Sequence, residues 1–228
     1  YQVFPHVFEV DTWIEALEIL PENRRVLHHA NLAFVERGKG FAQDGFITGF
    51  VPGGDPFALD PGTAFKIPKG SVFAIQAHYV STGKPETDRL RVGVRFPKTA
   101  IARRAEVLVV ANTRFAIAAG ETGYRVTAAR RVPADASVIG YFAHMHLRGR
   151  DMTFVAHRPG AAPDTLMMIP NYDFEWQASY RCHAGAVRLP AGTRIEVTAH
   201  FDNSAFNPFN PDPTAVVRFG QQTFEEMM

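Results

Sequence analysis

The sequence predicts an all-β protein made of two tandem antiparallel β-sandwich domains of a jelly-roll-like kind. Apolar and polar residues alternate over short runs, as in strands that bury one face. The 18 Gly and 16 Pro residues punctuate these runs with turns such as Pro52-Gly53-Gly54-Asp55-Pro56. Helical periodicity is weak almost everywhere along the chain.

Composition and charge narrow the classes of function. The 228 residues are 46% hydrophobic and 21% charged, which is ordinary globular composition, and the chain is long enough for one large or two small domains. The net charge is +1 and the basic residues are spread thinly, so we expect neither nucleic acid nor a membrane surface as a partner. The single cysteine, Cys182, excludes internal disulfides. The sequence from Tyr1 onward has no charged-then-apolar leader, so any signal peptide is expected either to have been removed or not to belong to the sequence given.

The first domain is predicted to span residues 1–103. Its strand signals are short alternating runs bounded by turn residues. In order along the chain, they predict strands at Gln2–Val10, Trp13–Leu20, Arg25–Glu36, Ser71–Ser81 and Asp88–Phe96. The segment Pro97–Arg104 is rich in Ala and Arg and is predicted to be a linker.

The second domain is predicted to span residues 104–228. Its strands are predicted at Glu106–Val110, Tyr124–Val132, Gly140–Gly149 and Met152–His157. Residues i and i+2 of a strand point to the same face, so His144 and His146 are predicted to project side by side toward one ion. The alternative is a chance pair of histidines on a polar face.

The two halves contain a repeated stretch of sequence, which we call the internal echo. Residues 66–79 read Lys-Ile-Pro-Lys-Gly-Ser-Val-Phe-Ala-Ile-Gln-Ala-His-Tyr, and residues 188–201 read Arg-Leu-Pro-Ala-Gly-Thr-Arg-Ile-Glu-Val-Thr-Ala-His-Phe. A strand with paired histidines precedes each of these two stretches by roughly fifty residues. The echo predicts two similar domains, each with its own metal site. The alternative is that Pro-x-Gly-Ser/Thr is merely a frequent turn before a strand.

A second group of histidines comprises His28, His29 and His78. Neighbours on a regular strand point to opposite faces, so His28 and His29 reach one ion only if the strand bends. The alternatives are one core and one exposed histidine for the pair, and a core histidine for His78. Sites rich in imidazole, with few carboxylates and no cysteine cluster, suit copper or zinc. A cupin-type iron site expects a Glu shortly after His-x-His, and Leu147-Arg148-Gly149-Arg150 follows instead.

Several motifs follow one another along nearly the whole chain. They are His28-His29, Gln76-Ala77-His78-Tyr79, His144-Met145-His146, Asp202-Asn203-Ser204 with Asn207-Pro208 and Asn210-Pro211, and residues 220–227, Gly-Gln-Gln-Thr-Phe-Glu-Glu-Met. In this order they resemble the copper type II, ascorbate-dependent monooxygenases, the family of peptidylglycine α-hydroxylating monooxygenase and dopamine β-monooxygenase, and most of all their bacterial members. Trp176-Gln177 also resembles a motif of the family, but we expect it to serve packing.

The resemblance implies two copper ions per chain, one in each domain. An electron-transfer copper would be held by three imidazoles, those of His28, His29 and His78. An oxygen-activating copper, the catalytic one, would be held by His144, His146 and Met227. Imidazoles support both Cu(I) and Cu(II), whereas a thioether favours Cu(I).

Two alternatives remain open for the third ligand of the second site. Met228 is adjacent to Met227. By the internal echo His200 takes the place of His78, although its strand face also carries Glu196 and Thr198. Met227 stands one residue before the last position of the sequence, and a ligand in such a place is expected to fray and to weaken the site.

The implied function is hydroxylation of an activated C–H bond of a small organic substrate. The reaction would use O2 and electrons from ascorbate, a similar reductant or a redox partner, in the periplasm or outside the cell. Phe142 stands where the animal peptide hydroxylase carries an Arg that grips the substrate carboxylate, so we expect an apolar pocket. The alternatives are a non-catalytic periplasmic copper-binding or storage module and a zinc or non-haem iron hydrolase or oxygenase.

Overall fold

The computed structural model describes residues 1–39, 45–51, 54 and 56–228. These residues form strands and no α-helix, which confirms the all-β class. None of them belongs to a helix that has the length and apolar character needed to cross a membrane. In the turn predicted at 52–56, Pro52, Gly53 and Asp55 lie outside the described residues. The chain divides into two compact units, Tyr1–Val107 and Leu108–Met228.

The described residues of the first unit form three sheets, with strand orders β1-β8-β4-β5, β10-β7-β2 and β6-β3-β9. All pairs are antiparallel except β10 with β7. The strands are β1 (Gln2–Val7), β2 (Thr12–Ile14), β3 (Ala16–Pro21), β4 (Leu27–Glu36), β5 (Phe46–Phe50), β6 (Phe57–Ala58), β7 (Thr63–Ile67), β8 (Ser71–Tyr79), β9 (Leu90–Arg95) and β10 (Arg103–Ala105).

One predicted strand of the first unit is wrong, and an observed strand crosses the predicted domain boundary. The run Trp13–Leu20 is divided at Glu15 between β2 and β3, which lie in different sheets. The backbone of Glu15 hydrogen-bonds to Arg95 and Leu59 and so turns the chain from one sheet to the other. The predicted boundary after residue 103 falls inside β10, because this strand pairs with β7 of the first unit.

The second unit contains one four-stranded antiparallel sheet, β12-β19-β15-β16, and three two-stranded ribbons, β11-β20, β13-β18 and β14-β17. The prediction of a strand at Glu106–Val110 is wrong, since these residues are in no strand. The strands are β11 (Ala116–Ile117), β12 (Tyr124–Arg131), β13 (Ala136–Ser137), β14 (Gly140–Phe142), β15 (Gly149–His157), β16 (Asp164–Ile169), β17 (Ser179–Arg181), β18 (Arg188–Leu189), β19 (Arg194–Phe201) and β20 (Val217–Arg218).

The echo between the halves corresponds to the same local structure in each unit. Gly70 and Gly192 have φ values of 82° and 80°, in the left-handed region that favours glycine. In both turns the proline carbonyl accepts the amide three residues later, Pro68 from Ser71 and Pro190 from Thr193. The strands that follow, β8 and β19, take the same position in sheets ordered β1-β8-β4-β5 and β12-β19-β15-β16.

Candidate metal sites

Three imidazoles meet where β4 lies beside β8. The possible ligand nitrogens of His28, His29 and His78 all lie within 4.8 Å of one another. Nδ1 of His28 is 3.0 Å from Nδ1 of His29. Two nitrogens that each lie about 2.0–2.1 Å from one ion, at a right angle, are about 3 Å apart. The spacing therefore fits a shared ion.

A β-bulge brings the adjacent histidines together. His29 is the cross-strand partner of His78, and Leu27 is the partner of Tyr79. Thus β4 takes two steps where β8 takes one, and His28 is the extra residue of the bulge. In a regular strand the rings of His28 and His29 would point to opposite faces. The bend that the sequence required is present.

The surroundings of His78 favour neutral imidazole, the form that binds metal. His28 is 9% and His29 is 8% exposed, and His78 is half-buried. Burial lowers the pKa of His78, and the nearby His28 lowers it further. Three neutral imidazoles are a donor set that fits copper or zinc.

The second pair of histidines does not lie in a strand, so the prediction of one strand through Gly149 is wrong. β14 ends at Phe142, and an irregular segment then carries His144 and His146 to the turn before β15. The alternation of faces nevertheless persists, because the intervening Ala143 and Met145 are buried in the core. The two imidazole rings are neighbours, with centroids 5.1 Å apart and planes at 89°.

Two side chains satisfy the backbone of this segment in place of a neighbouring strand. The Tyr172 hydroxyl accepts from Met145 N at 2.9 Å and donates to Met145 O at 2.6 Å. The Glu226 carboxylate accepts from His146 N at 3.0 Å and from Arg148 N at 2.6 Å. Buried backbone groups need such partners, so the segment keeps an extended course without a sheet ladder.

Gly149 permits the close packing at the end of this segment. A Cβ at this position would lie 2.6 Å from Cβ of Met145 and 2.9 Å from Cδ1 of Tyr172. Both distances are shorter than real contacts allow, so no side chain fits without displacing the segment. Glycine at 149 thus supports the placement of the histidines three and five residues earlier.

Hydrogen bonds set the tautomer of both rings. His144 Nδ1 lies 2.5 Å from Oε1 of Gln177, and His146 Nδ1 lies 3.2 Å from the carbonyl oxygen of Glu225. An oxygen at each position accepts, so Nδ1 carries the hydrogen and Nε2 is the atom suited to a metal. Gln177 is itself oriented, because its Nε2 donates to the Phe174 carbonyl at 2.8 Å. The expectation that Trp176-Gln177 serves packing missed this role.

The structure distinguishes between the two terminal methionines. Met228 is 5% exposed and packs in the hydrophobic core of the second unit. Met227 is half-buried, and its N–H donates to the same Glu226 oxygen that accepts from His146 N. The Met228 carbonyl accepts from Asn112 N at 2.8 Å, so the segment is anchored where fraying was expected. The assignment of Met227 as a ligand stays a prediction.

A buried polar network holds the segments of the second site. Glu226 is fully buried, and burial raises its pKa to about 7 although backbone N–H groups and Arg148 favour the charged form. Arg148, 1% exposed, donates to Asn203 Oδ1 at 2.6 Å and to the Phe224 carbonyl at 2.8 Å. Asn203 in turn donates to two backbone carbonyls, those of Ala118 and Ala215. The side chains of Asn203 and Glu226 therefore hold the segment that carries His144 and His146 in place.

His200 occupies a different environment from that of His78. β15 has a bulge between Gly149 and Asp151, at the place where β4 has its bulge, and Asp151 pairs with His200. His200 Nδ1 lies 2.7 Å from Asp151 Oδ1. In the described part of the chain, His200 forms no three-ligand group with His144 and His146.

The register also corrects the comparison of the two halves. The structural counterparts of His28 and His29 are Arg150 and Asp151, not the histidines at 144 and 146. The two histidine groups therefore occupy different places in an otherwise similar sheet.

A scan against protein-family models and a search of curated proteins both find no match to this chain. The resemblance to the copper type II monooxygenases thus rests on the sequence motifs alone. The structure independently shows that the chain forms two groups of neighbouring histidines.

Proposed function

We propose that the chain is a copper-dependent monooxygenase that hydroxylates an activated C–H bond of a small organic substrate. The reaction would use O2 and a one-electron reductant such as ascorbate, or a redox partner, in the periplasm or outside the cell. The observation that carries the proposal is the bulge that brings His28 and His29 to the same point as His78. A regular strand would have kept these rings apart, so the chain departs from regular structure where a metal site requires it.

The two histidine groups differ in their donor sets, as two copper ions with different roles require. Three imidazoles in the first unit suit a metal that changes between Cu(I) and Cu(II). In the second unit His144 and His146 would be joined by the Met227 thioether, a softer set that favours Cu(I). Copper bound there would supply the reaction with O2. The chain's own part is to fix both rings by Gln177 and the Glu225 carbonyl, with Nε2 as the ligand atom.

Aromatic rings around the second group support an apolar substrate. Phe142 is stacked on His144, with ring centroids 6.4 Å apart and planes at 11°. Phe174 meets His146 edge-on at 6.2 Å. An aromatic wall excludes water and offers no charge to a substrate carboxylate. We therefore propose a neutral, apolar substrate group next to this site.

Metal content and oxygen uptake test the proposal. We expect two copper ions per chain after loading and dialysis, and O2 consumption with ascorbate that depends on an added apolar substrate. Copper binding with no substrate-dependent uptake across a broad panel would instead establish a copper-binding or storage module. Zinc or iron as the only metal in protein purified without added metal would overturn the copper assignment.

Gln177→Ala is expected to weaken copper binding at the second group by about ten- to a hundredfold, because His144 loses the acceptor that fixes its tautomer and orientation. Chelator competition measured on both ions should show the first site unchanged. Gln222→Ala, an exposed glutamine of the same unit, is the matched control. Equal affinities in the two variants would show that Gln177 has no part in the site.

A further inference from the structure

An open cleft in the second unit is lined by residues other than those assigned to metal binding. Its volume is about 600 Å³, within the range of small-molecule sites. It forms beside the β11-β20 ribbon and also reaches the start of β12. The lining residues are Thr113, Arg114, Phe115, Ala116, Tyr124 and Arg218, with Phe219.

The ribbon places two guanidinium groups on one face. Ala116 pairs with Arg218, and residues directly opposite in an antiparallel pair share a face. Arg114 precedes Ala116 by two residues and continues the alternation, since Phe115 and Ile117 are buried while both arginines are exposed. Diagonal neighbours of this kind lie within reach of long side chains.

In the part of the chain that the structure describes, no carboxylate lines the cleft to compensate its positive charge. Among the described residues, neither arginine side chain has an ion-pair or hydrogen-bond partner, whereas Arg95, Arg158 and Arg194 are each paired with a carboxylate. Two like charges on one face repel each other, and an anion between them removes that repulsion.

We propose that this cleft binds a small planar organic anion, a carboxylate or an enolate. Guanidinium groups recognise such groups through paired, charge-assisted hydrogen bonds. The rings of Tyr124 and Phe219 supply the apolar wall against which a flat ligand stacks. The inference needs no metal and stands apart from the proposed monooxygenase activity.

Titration calorimetry on the full, metal-free chain tests the proposal with three probes. Benzoate is expected to bind with a dissociation constant on the order of 1 mM, as two charge-assisted contacts and one stacked ring allow. Acetate, which lacks the ring, and benzamide, which lacks the charge, are expected to bind at least about tenfold more weakly. Raising the salt concentration should weaken the binding of benzoate. Equal binding of benzamide and benzoate would overturn the assignment to an anion.

Variants locate the binding in the cleft. Arg114→Gln and Arg218→Gln should each weaken benzoate binding about tenfold. The corresponding lysine variants should bind benzoate with affinities between those of the parent chain and the glutamine variants, because lysine keeps the charge but loses the paired geometry. Arg130→Gln removes the same charge from an exposed residue of β12 outside the cleft and should leave binding unchanged. Circular dichroism checks that each variant is folded. The proposal fails if Arg130→Gln weakens binding as much as the cleft variants, or if the parent chain binds no benzoate.

Discussion

His29→Ala is expected to lower copper affinity in the first unit by more than about a hundredfold. Loss of a group that only supports a ligand costs about ten- to a hundredfold, and loss of the ligand itself costs more. His29 pairs directly with His78 across the two strands and lies 3.0 Å, nitrogen to nitrogen, from His28. Without it the remaining two imidazoles hold the ion with one nitrogen fewer.

Copper stoichiometry by elemental analysis after dialysis against a competing chelator measures this effect. We expect the count to fall from two to one, with loss of the electron paramagnetic resonance signal of the imidazole-rich site. His6→Ala is the matched control, since His6 is an exposed histidine of the same unit outside the triad. Retention of two tightly bound copper ions in His29→Ala would remove the triad from the proposed mechanism.

The all-β class could be predicted because alternation and turn residues are local signals. The bulge at His28 could not, because no local pattern marks an extra residue in a strand. It appears only in the register between β4 and β8. From the sequence it could be predicted only that His28 and His29 reach one ion if the strand bends. The β-bulge in the structure is that bend.

The segment with His144 and His146 shows a different limit. Its alternation of buried residues and histidines can be read from the sequence, but alternation alone does not reveal whether a partner strand exists. Here the partners are side chains that are distant in sequence. The Tyr172 hydroxyl bonds to Met145 across 27 residues, and the Glu226 carboxylate bonds to His146 across 80 residues. A buried carboxylate in a polar terminal sequence gives no local sign of its burial.

The repeat was visible, but its register was not. The turns at Gly70 and Gly192 match in sequence and in structure. The histidine pairs, in contrast, were equated by spacing, whereas the cross-strand register places Arg150 and Asp151 where the first unit has histidines. A shift of a few residues before a strand leaves the repeat recognisable and still moves a site, because loops absorb the difference.

Glu226→Ala is expected to reduce the free energy of unfolding by about 3–5 kcal/mol. The backbone N–H groups of His146 and Arg148 would lose their acceptor in a buried place, at a cost of about 1–3 kcal/mol each. The buried Arg148 side chain would also lose the nearby negative charge that favours its charged form. Because Glu226 also accepts from Met227 N, copper affinity at the second group should fall with stability.

Urea unfolding followed by circular dichroism, together with copper titration, measures both effects. Glu225→Ala is the matched control, because that neighbour contacts His146 through its carbonyl, which the substitution keeps. The free energy of unfolding of Glu226→Gln should lie between those of Glu226→Ala and Glu225→Ala. The amide oxygen of the glutamine can accept from one backbone N–H, while its amide nitrogen faces the other donor. If Glu226→Ala is no less stable than Glu225→Ala, the carboxylate does not hold the segment. If it is less stable but binds copper normally, the network supports the fold without positioning the ligands.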